Sequence, residues 1–174
     1  MRADIKPEKE KYKFVKTYVF SLINSLQKTI IQGVITMNGN KIIVHTLIKS
    51  NEKYLVTKRS RQETTYPEYW DIPGGLADYG ELPKDAVIRE TKEEVGLNII
   101  PTKIIHEDSN YDKEKDLIFI RLVYLCNLND DIKNIKLQVE EHTEYRLINS
   151  LRDLKGEKIS PFLLELFNHD LEIN

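Results

Sequence analysis

Short apolar runs separated by polar turns fill much of the chain and predict strands. The runs TIIQGVITM and NKIIVHTLI flank Asn38-Gly39, a pair that suits a two-residue hairpin turn because both positions need a positive φ. The run KYLVTKRS follows the polar connection KSNE. Farther on, TKIIHE and LIFIRLVYLC flank DSNYDKEKD, and TEYRLI forms one more run. The pattern predicts a series of strands, with DSNYDKEKD as the tip that joins two of them.

One segment between these strands has a helical pattern. Pro83 suits a first helical turn. Val87, Thr91 and Val95 form a single i, i+4 row, and Gly96 suits the left-handed cap that ends many helices. The pattern predicts a helix that begins at Pro83 and ends at Val95, with one side facing the core.

The first 28 residues have a weaker pattern. Apolar residues recur at alternating spacings of three and four after Pro7, at Tyr12, Val15, Val19, Leu22 and Leu26. This spacing predicts an amphipathic helix over 8–28, although FVKTYVFSLI also suits strands. The helix would either pack on its own domain or pair two copies as a homodimer. Polar residues interrupt YVFSLINSL, so we expect neither a signal peptide nor a membrane span.

Strands, a helix, more strands and a closing helix at PFLLELF define the expected architecture. This order predicts an α/β (α+β) fold, an α/β/α sandwich with a mixed β-sheet. A chain of 174 residues suits one domain of this kind. We therefore divide it into an N-terminal extension, 1–28, and a domain over 29–174.

Composition narrows the expected partners. The net charge is −2 and the sequence pI is about 6.1, so no general basic field draws the protein to polymeric nucleic acid or to a membrane. Cys126 is the only cysteine and lies in an apolar run, which is typical of a buried, unreactive thiol. These features favour a cytoplasmic location.

The predicted central helix carries an acidic face. Glu90, Glu93 and Glu94 lie three and four residues apart, so they are neighbours on a helix. Such a group would repel itself, so either it spreads into solvent or it binds a cation. Mg²⁺ prefers oxygen ligands, and two or three carboxylates with a carbonyl from the Gly74-Gly75 turn could supply them. We expect these side chains to face solvent.

The spacing of this acidic region resembles a known signature. Gly75, Glu81, Arg89-Glu90, Glu93-Glu94 and Gly96-Leu97 stand at the spacing of the Nudix box. WDIPGG before the box and EEHTEYRLI after it also resemble the family, over approximately residues 30–155. The resemblance departs from the family at Thr91, where members usually have an aliphatic residue. Threonine could pack there and bond back to the preceding turn.

The resemblance implies a Nudix-type fold and a MutT-like hydrolase that uses Mg²⁺ or Mn²⁺. It implies metal ligands at Glu90 and Glu94, with Glu93 and the carbonyl of Gly74. Arg89 resembles an arginine that orients a glutamate, and Glu81 resembles an anchor between loop and helix. The reaction would be attack of water on phosphorus, with a carboxylate as base. The base could be Glu90 or Glu93, or a later glutamate, for which Glu141 aligns best among Glu140, Glu141 and Glu144.

Substrate choice depends on residues outside the box. The resemblance favours a small-molecule nucleotide, with a nucleoside triphosphate first, including an oxidised one such as 8-oxo-dGTP. ADP-ribose or another nucleotide sugar, and a non-catalytic nucleotide-sensing module, stay as alternatives. Trp70 before PGG could stack on a base, but it more often anchors a core. The four histidines have no zinc-site spacing.

Overall fold

A computed structural model of the chain describes residues 40–169. Seven strands and two α-helices lie within this part: β1 Lys41–Ser50, β2 Lys53–Arg59, β3 Trp70–Asp71, β4 Gly74–Leu76, α1 Pro83–Val95, β5 Ile99–Asp112, β6 Leu117–Leu128, β7 His142–Ile148 and α2 Pro161–His169. Two short 3₁₀ helices, Ile132–Asn134 and Leu151–Leu154, lie on either side of β7. The predicted helix over 8–28 and the first predicted strand lie outside the described residues.

The strands form one mixed sheet. Its order is β3-β2-β1-β6-β5, with β4 paired to β1 and β7 paired to β2. The β1–β6 pair is parallel, and the other pairs are antiparallel. Strand β1 therefore lies at the centre of the sheet, between β2 and β6, and β4 also pairs with it.

The two faces of the sheet bury two separate cores. Along β1, Val44 and Ile48 belong to the core that contains Val87 and Val95 of α1. Leu47 belongs to the other core, which contains Leu163 and its neighbours on α2. Because successive strand residues point to opposite faces, one helix covers each face. The predicted α/β/α sandwich with a mixed sheet is confirmed.

Helix α1 has the predicted bounds, Pro83–Val95. Leu82 precedes it in an extended conformation, and Pro83 occupies the first turn, where its missing N–H costs no hydrogen bond. Gly96 ends the helix at φ 73°, and its N–H donates to the Lys92 carbonyl at 3.1 Å. Neither helix of the described residues is long and apolar enough to cross a membrane.

Strand β5 is longer than the sequence pattern predicted. It runs to Asp112 and pairs with β6 as far as Leu117, so only residues 113–116 turn. The prediction that all of DSNYDKEKD forms the connecting tip is therefore wrong. Polar and charged side chains can extend this hairpin because most of its residues near the turn are exposed, which removes the need for apolar alternation.

Candidate active site

Gly74 and Gly75, which the sequence predicted as a turn, instead form the start of strand β4, directly after a bend at Pro73. We keep the name Gly74-Gly75 turn for this short segment, which is fixed to the central strand. In the β1–β4 pair, Gly74 lies opposite His45 and Gly75 lies opposite Val44. The Pro73 carbonyl accepts a hydrogen bond from the backbone N–H of Thr46 at 2.8 Å. A Cβ at position 74 would be 2.2 Å from the Val44 carbonyl oxygen, so only glycine can approach β1 this closely.

Glu94 is buried beneath this turn. The residue is 5% exposed, and its Oε2 accepts a hydrogen bond from the Gly74 N–H at 2.8 Å. The same oxygen lies 3.1 Å from Nε2 of His142. The expectation that all the acidic side chains face solvent is therefore wrong for Glu94. Burial is the main cause that raises the pKa of Glu94, to about 8, and the charge of Glu90 adds to it.

Glu90 lies one turn earlier, against Gly75. A Cβ at position 75 would be 2.5 Å from the carboxyl carbon of Glu90, so the absence of a side chain at Gly75 provides the space for this carboxyl group. Its side chain is 13% exposed. Burial raises the pKa of Glu90, and the charges of Glu93 and Glu141 act in the same direction, whereas Arg89 opposes the rise.

Arg89 joins the loop to the acidic face. Its Nε and Nη2 donate to the two carboxylate oxygens of Glu81 at 2.9 and 2.8 Å. Nη1 donates to Glu90 at 2.9 Å and to Glu93 at 3.0 Å, while Nη2 also donates to the Leu76 carbonyl. The bond from Arg89 is the largest cause that lowers the pKa of Glu81, to about 2. Glu93 is the outermost acid, with 60% of its side chain exposed.

Glu141 reaches the same region from the turn before β7. Ligand atoms of Glu94, Glu141 and His142 all lie within 4.8 Å of one another. Burial raises the pKa of Glu141 to about 7, and the hydrogen bond and charge of Glu94 add to the rise. Of the other two glutamates considered for the base, Glu144 pairs with Lys58 at 3.3 Å and Glu140 is exposed.

His142 belongs to the site and was not predicted. It is 2% exposed, and burial is the main cause that lowers its pKa to about 4, so the ring is neutral at pH 7. His142 and Glu94 are separated by 48 residues. In the sequence, only the position of His142 directly after Glu141, at the start of a predicted strand, indicated that His142 could lie near the site.

The donor set suits a hard divalent cation. Glu90, Glu94 and Glu141 bring carboxyl groups together where burial and mutual repulsion disfavour their charged forms. A cation bound to these oxygens would relieve that cost. Oxygen ligands are those that Mg²⁺ and Mn²⁺ prefer.

A pocket of about 340 Å³ opens beside the Gly74-Gly75 turn. Its charged and polar walls include the buried His45 and Asp71, and two arginines, Arg59 and Arg121. Phe162 and Tyr66 add aromatic surface. Trp70 is fully buried in the core that α2 covers, as predicted for a core anchor.

Comparison with known proteins agrees with this architecture. The NUDIX domain model matches residues 39–167, so the chain belongs to the Nudix family, as its box predicted. It is 31% identical over 151 residues to the Nudix hydrolase lin0387 of Listeria innocua, covering 79% of this chain and 83% of that protein. It is 30% identical over 103 residues to the nucleoside triphosphatase NudI of Escherichia coli, covering 53% of this chain and 73% of that protein.

One further match covers a shorter segment of the chain, and another is to a solved structure. The chain is 39% identical over 67 residues to an m7GpppN-mRNA hydrolase of Danio rerio, and the match covers 38% of this chain. It spans only 22% of the length of that relative. Among solved structures, the MutT protein of Methanosarcina mazei Go1 superimposes with a TM-score of 0.65 at 26% identity, covering 79% of this chain and 97% of that one.

Proposed function

We propose that the protein is a metal-dependent hydrolase that cleaves a phosphoanhydride bond in a nucleoside diphosphate linked to another moiety. The observation that carries the proposal is the meeting of three carboxyl groups, Glu90, Glu94 and Glu141, at the Gly74-Gly75 turn beside a pocket of about 340 Å³. A complete acidic set argues against the alternative of a non-catalytic sensing module, because such a module has no need to keep buried carboxyl groups together.

Glu90, Glu93, Glu94 and the carbonyl of Gly74 are the proposed ligands of Mg²⁺ or Mn²⁺. Bound to them, the cation would neutralise charge on the diphosphate and make a bound water more acidic. Glu93 would act from the outer edge of the site, because its side chain is the most exposed of the three acids. The Gly74 N–H and His142 contact one oxygen of Glu94, which would hold its carboxyl group in place for the cation.

Glu141 is the proposed general base, with Glu90 and Glu93 as the alternatives in the box. A pKa raised to about 7 suits a group that accepts a proton near neutral pH. The oxygen of water would form a bond to phosphorus, its proton would pass to the carboxylate, and the bridging phosphoanhydride oxygen would leave with its electron pair. No covalent enzyme intermediate is needed.

Arg89 is proposed to orient the acids rather than to bind the substrate phosphate. Its guanidinium donates five hydrogen bonds, to three glutamates and the Leu76 carbonyl. A guanidinium has five N–H groups, so these contacts occupy its donors. Glu81 in turn fixes the loop, because its Oε2 also accepts from the Asp78 N–H at 2.9 Å.

The proposed substrate is a nucleoside triphosphate, with an oxidised one such as 8-oxo-dGTP included. The pocket beside the turn could hold the nucleoside part, since His45 and Asp71 supply polar edges and Tyr66, which is 45% exposed, supplies aromatic surface. One relative is a nucleoside triphosphatase, and another is an m7GpppN-mRNA hydrolase. ADP-ribose or another nucleotide sugar is the second candidate.

Three further statements stay proposals. Residues 1–28 would form an N-terminal extension to the Nudix domain over 29–174, and this extension would either pack on its own domain or pair two copies as a homodimer. If it pairs two copies, deleting 1–28 should convert a dimer to a monomer in sedimentation, whereas the same number of copies before and after deletion would rule out this pairing. A net charge of −2 argues against polymeric nucleic acid or a membrane as partner, and a single cysteine in an apolar run supports a cytoplasmic enzyme of small nucleotides.

A nucleotide panel tests the proposed function. Purified protein would be assayed with Mg²⁺, Mn²⁺ or chelator on nucleoside triphosphates, 8-oxo-dGTP, ADP-ribose and m7GpppN dinucleotides. We expect metal-dependent release of a nucleoside monophosphate from at least one of them. Binding of nucleotides without cleavage of any would favour the sensing module instead.

A further inference from the structure

Two buried hydroxyl groups connect helix α1 to the central strand. Thr46 and Thr91 are both fully buried, and their Oγ1 atoms lie 2.6 Å apart. Thr91 Oγ1 also donates to the Val87 carbonyl at 2.7 Å. A hydroxyl has one hydrogen, and that of Thr91 is used in this bond. Thr46 is therefore the donor to Thr91, and a short chain of hydrogen bonds runs from β1 to the backbone of α1.

This pair connects the two segments that carry the candidate site, helix α1 and the Gly74-Gly75 turn. Thr91 directly follows Glu90 on α1 and lies on the side that faces the sheet. The backbone N–H of Thr46 donates to Pro73, which directly precedes Gly74. Thr46 thus holds the glycine turn through its main chain and the acidic helix through its side chain.

A hydrogen bond restrains the helix in a way that apolar packing does not. Hydrophobic contact has no direction, so an aliphatic residue at position 91 would hold α1 on the sheet while permitting small rotations about its axis. The bond between hydroxyls depends on distance and angle. A small rotation of α1 would move the carboxyl groups of Glu90 and Glu94 away from the turn, and active groups need placement within about 0.5 Å.

We propose that Thr46 and Thr91 are positioning residues that fix the rotation of α1, so that the carboxyl groups of Glu90 and Glu94 meet the Gly74-Gly75 turn. This role would explain Thr91, the one residue of the Nudix box that departs from the usual pattern. The expected effect on kcat rests on the proposed function, but the expected effect on metal binding can be measured without turnover.

The test compares three variants of the full chain. Thr91→Val keeps the shape of the side chain and removes the hydroxyl, whereas Thr91→Ser keeps the hydroxyl. Thr57→Val is the matched control, because Thr57 is also fully buried on a strand and its hydroxyl has no hydrogen-bond partner among the described residues. Mn²⁺ affinity would be measured by electron paramagnetic resonance, together with kcat, KM and Tm.

The expected result is a specific loss in one variant. Thr91→Val should weaken Mn²⁺ binding and lower kcat, each by about tenfold, as for a small misplacement of active groups, with little change in KM. Thr91→Ser should recover most of both losses. Thr57→Val should keep the affinity and kcat of the wild type. If Thr91→Val does not fold, Thr46→Val replaces it, because Thr91 then keeps its bond to Val87, and the same losses are expected.

Three other results have definite meanings. A lower Tm for Thr91→Val with unchanged Mn²⁺ affinity would overturn the inference and leave a purely structural bond. Equal losses in Thr91→Val and Thr57→Val would also overturn it. If Thr91→Val binds Mn²⁺ more weakly, Thr91→Ser recovers, and the wild type cleaves no nucleotide, the positioning role stands and the proposed function fails.

Discussion

The carboxyl group of Glu90 occupies the space that a side chain at Gly75 would fill. A Cβ on Gly75 would be 2.5 Å from both the carboxyl carbon and Oε2 of Glu90. The two residues belong to different elements, β4 and α1, so this contact sets how closely the glycine turn approaches the acidic helix. Because a glutamate side chain is flexible at its far end, a methyl group on residue 75 would displace the carboxyl group and leave the backbone in place.

Gly75→Ala should therefore separate activity from stability. We expect Mn²⁺ affinity and kcat to fall by about tenfold or more, because a carboxyl group of the site is displaced, while Tm changes little. Gly156→Ala is the control: Gly156 has a φ of 86° and no atom within 4 Å of an added Cβ. That variant should be destabilised by about 1 kcal/mol through backbone strain and keep full activity. Equal activity in the two variants would contradict the account of Glu90.

Arg89→Lys should lower kcat although the positive charge is kept. A lysine cannot reproduce the paired bonds to Glu81 together with those to Glu90 and Glu93. We expect a loss of about ten- to a hundredfold, as for displaced active groups. Arg61→Lys is the control, since the Arg61–Glu68 pair is on the surface, with the Arg61 side chain 85% exposed, and such pairs contribute little. Wild-type kcat in Arg89→Lys would show that the orienting role is wrong.

The sequence alone predicted the bounds of helix α1, but it did not predict that Glu94 on this helix is buried. Local signals set α1: proline at its start, one apolar row and glycine at its end. Glu94 carries the same charge as its neighbours, so charge patterning indicated exposure. Its burial depends on contacts from Gly74 and His142, which are remote in the chain and set by the pairing of strands.

Two further features of the structure were predicted only in part from the sequence: the hydrogen bonds of Thr91 and the extent of strand β5. The departure at Thr91 was visible in the sequence, and its bond to the preceding turn was expected and found. Its second bond, to Thr46, was not predicted because it depends on how α1 packs across β1. Similarly, the charged residues of DSNYDKEKD indicated a loop, because periodicity gives no strand signal where both faces of a hairpin are exposed.

Glu94→Gln should remove the metal-dependent activity and retain the fold. The variant replaces a buried group, whose pKa is raised to about 8, by a neutral one of similar shape. We expect kcat to fall by about a hundredfold or more, as for loss of a metal-binding charge, while Tm in chelator stays equal to that of the wild type or rises. An unaffected kcat would contradict the assignment of Glu94 as a ligand.

Stability of the metal-free protein should decrease as pH rises from 6.5 to 8.5. The folded-state pKa of Glu94 lies above its ordinary value, so the unfolded state loses its proton first and gains stability as pH rises. Burial lowers the pKa of His45 to about 3 and that of His142 to about 4. These two histidines therefore lower the stability of the folded state only below pH 6.5, their ordinary pKa, which is outside the range from pH 6.5 to 8.5. Melting in chelator should show a smaller decrease for Glu94→Gln, and equal slopes would contradict the account.

Added Mg²⁺ should raise the Tm of the wild-type protein at pH 8. A ligand that binds only the folded state stabilises it in proportion to the logarithm of its concentration over Kd, and here it also relieves repulsion among Glu90, Glu94 and Glu141. The shift should be larger at pH 8 than at pH 6, because metal ligands must lose their protons. Glu94→Gln should show little shift. An equal rise in that variant would point to binding elsewhere.

Hydrolysis in ¹⁸O-labelled water tests the central claim most directly. If the acids hold a cation over a diphosphate while the pocket holds the nucleoside, the cleaved bond is internal, and a nucleoside triphosphate yields the monophosphate and pyrophosphate. We predict these two products by mass spectrometry, with label in one of them, only when Mg²⁺ or Mn²⁺ is present and not with Glu94→Gln. Label in orthophosphate alone, with accumulation of the nucleoside diphosphate, or full activity in chelator, would contradict the proposed site.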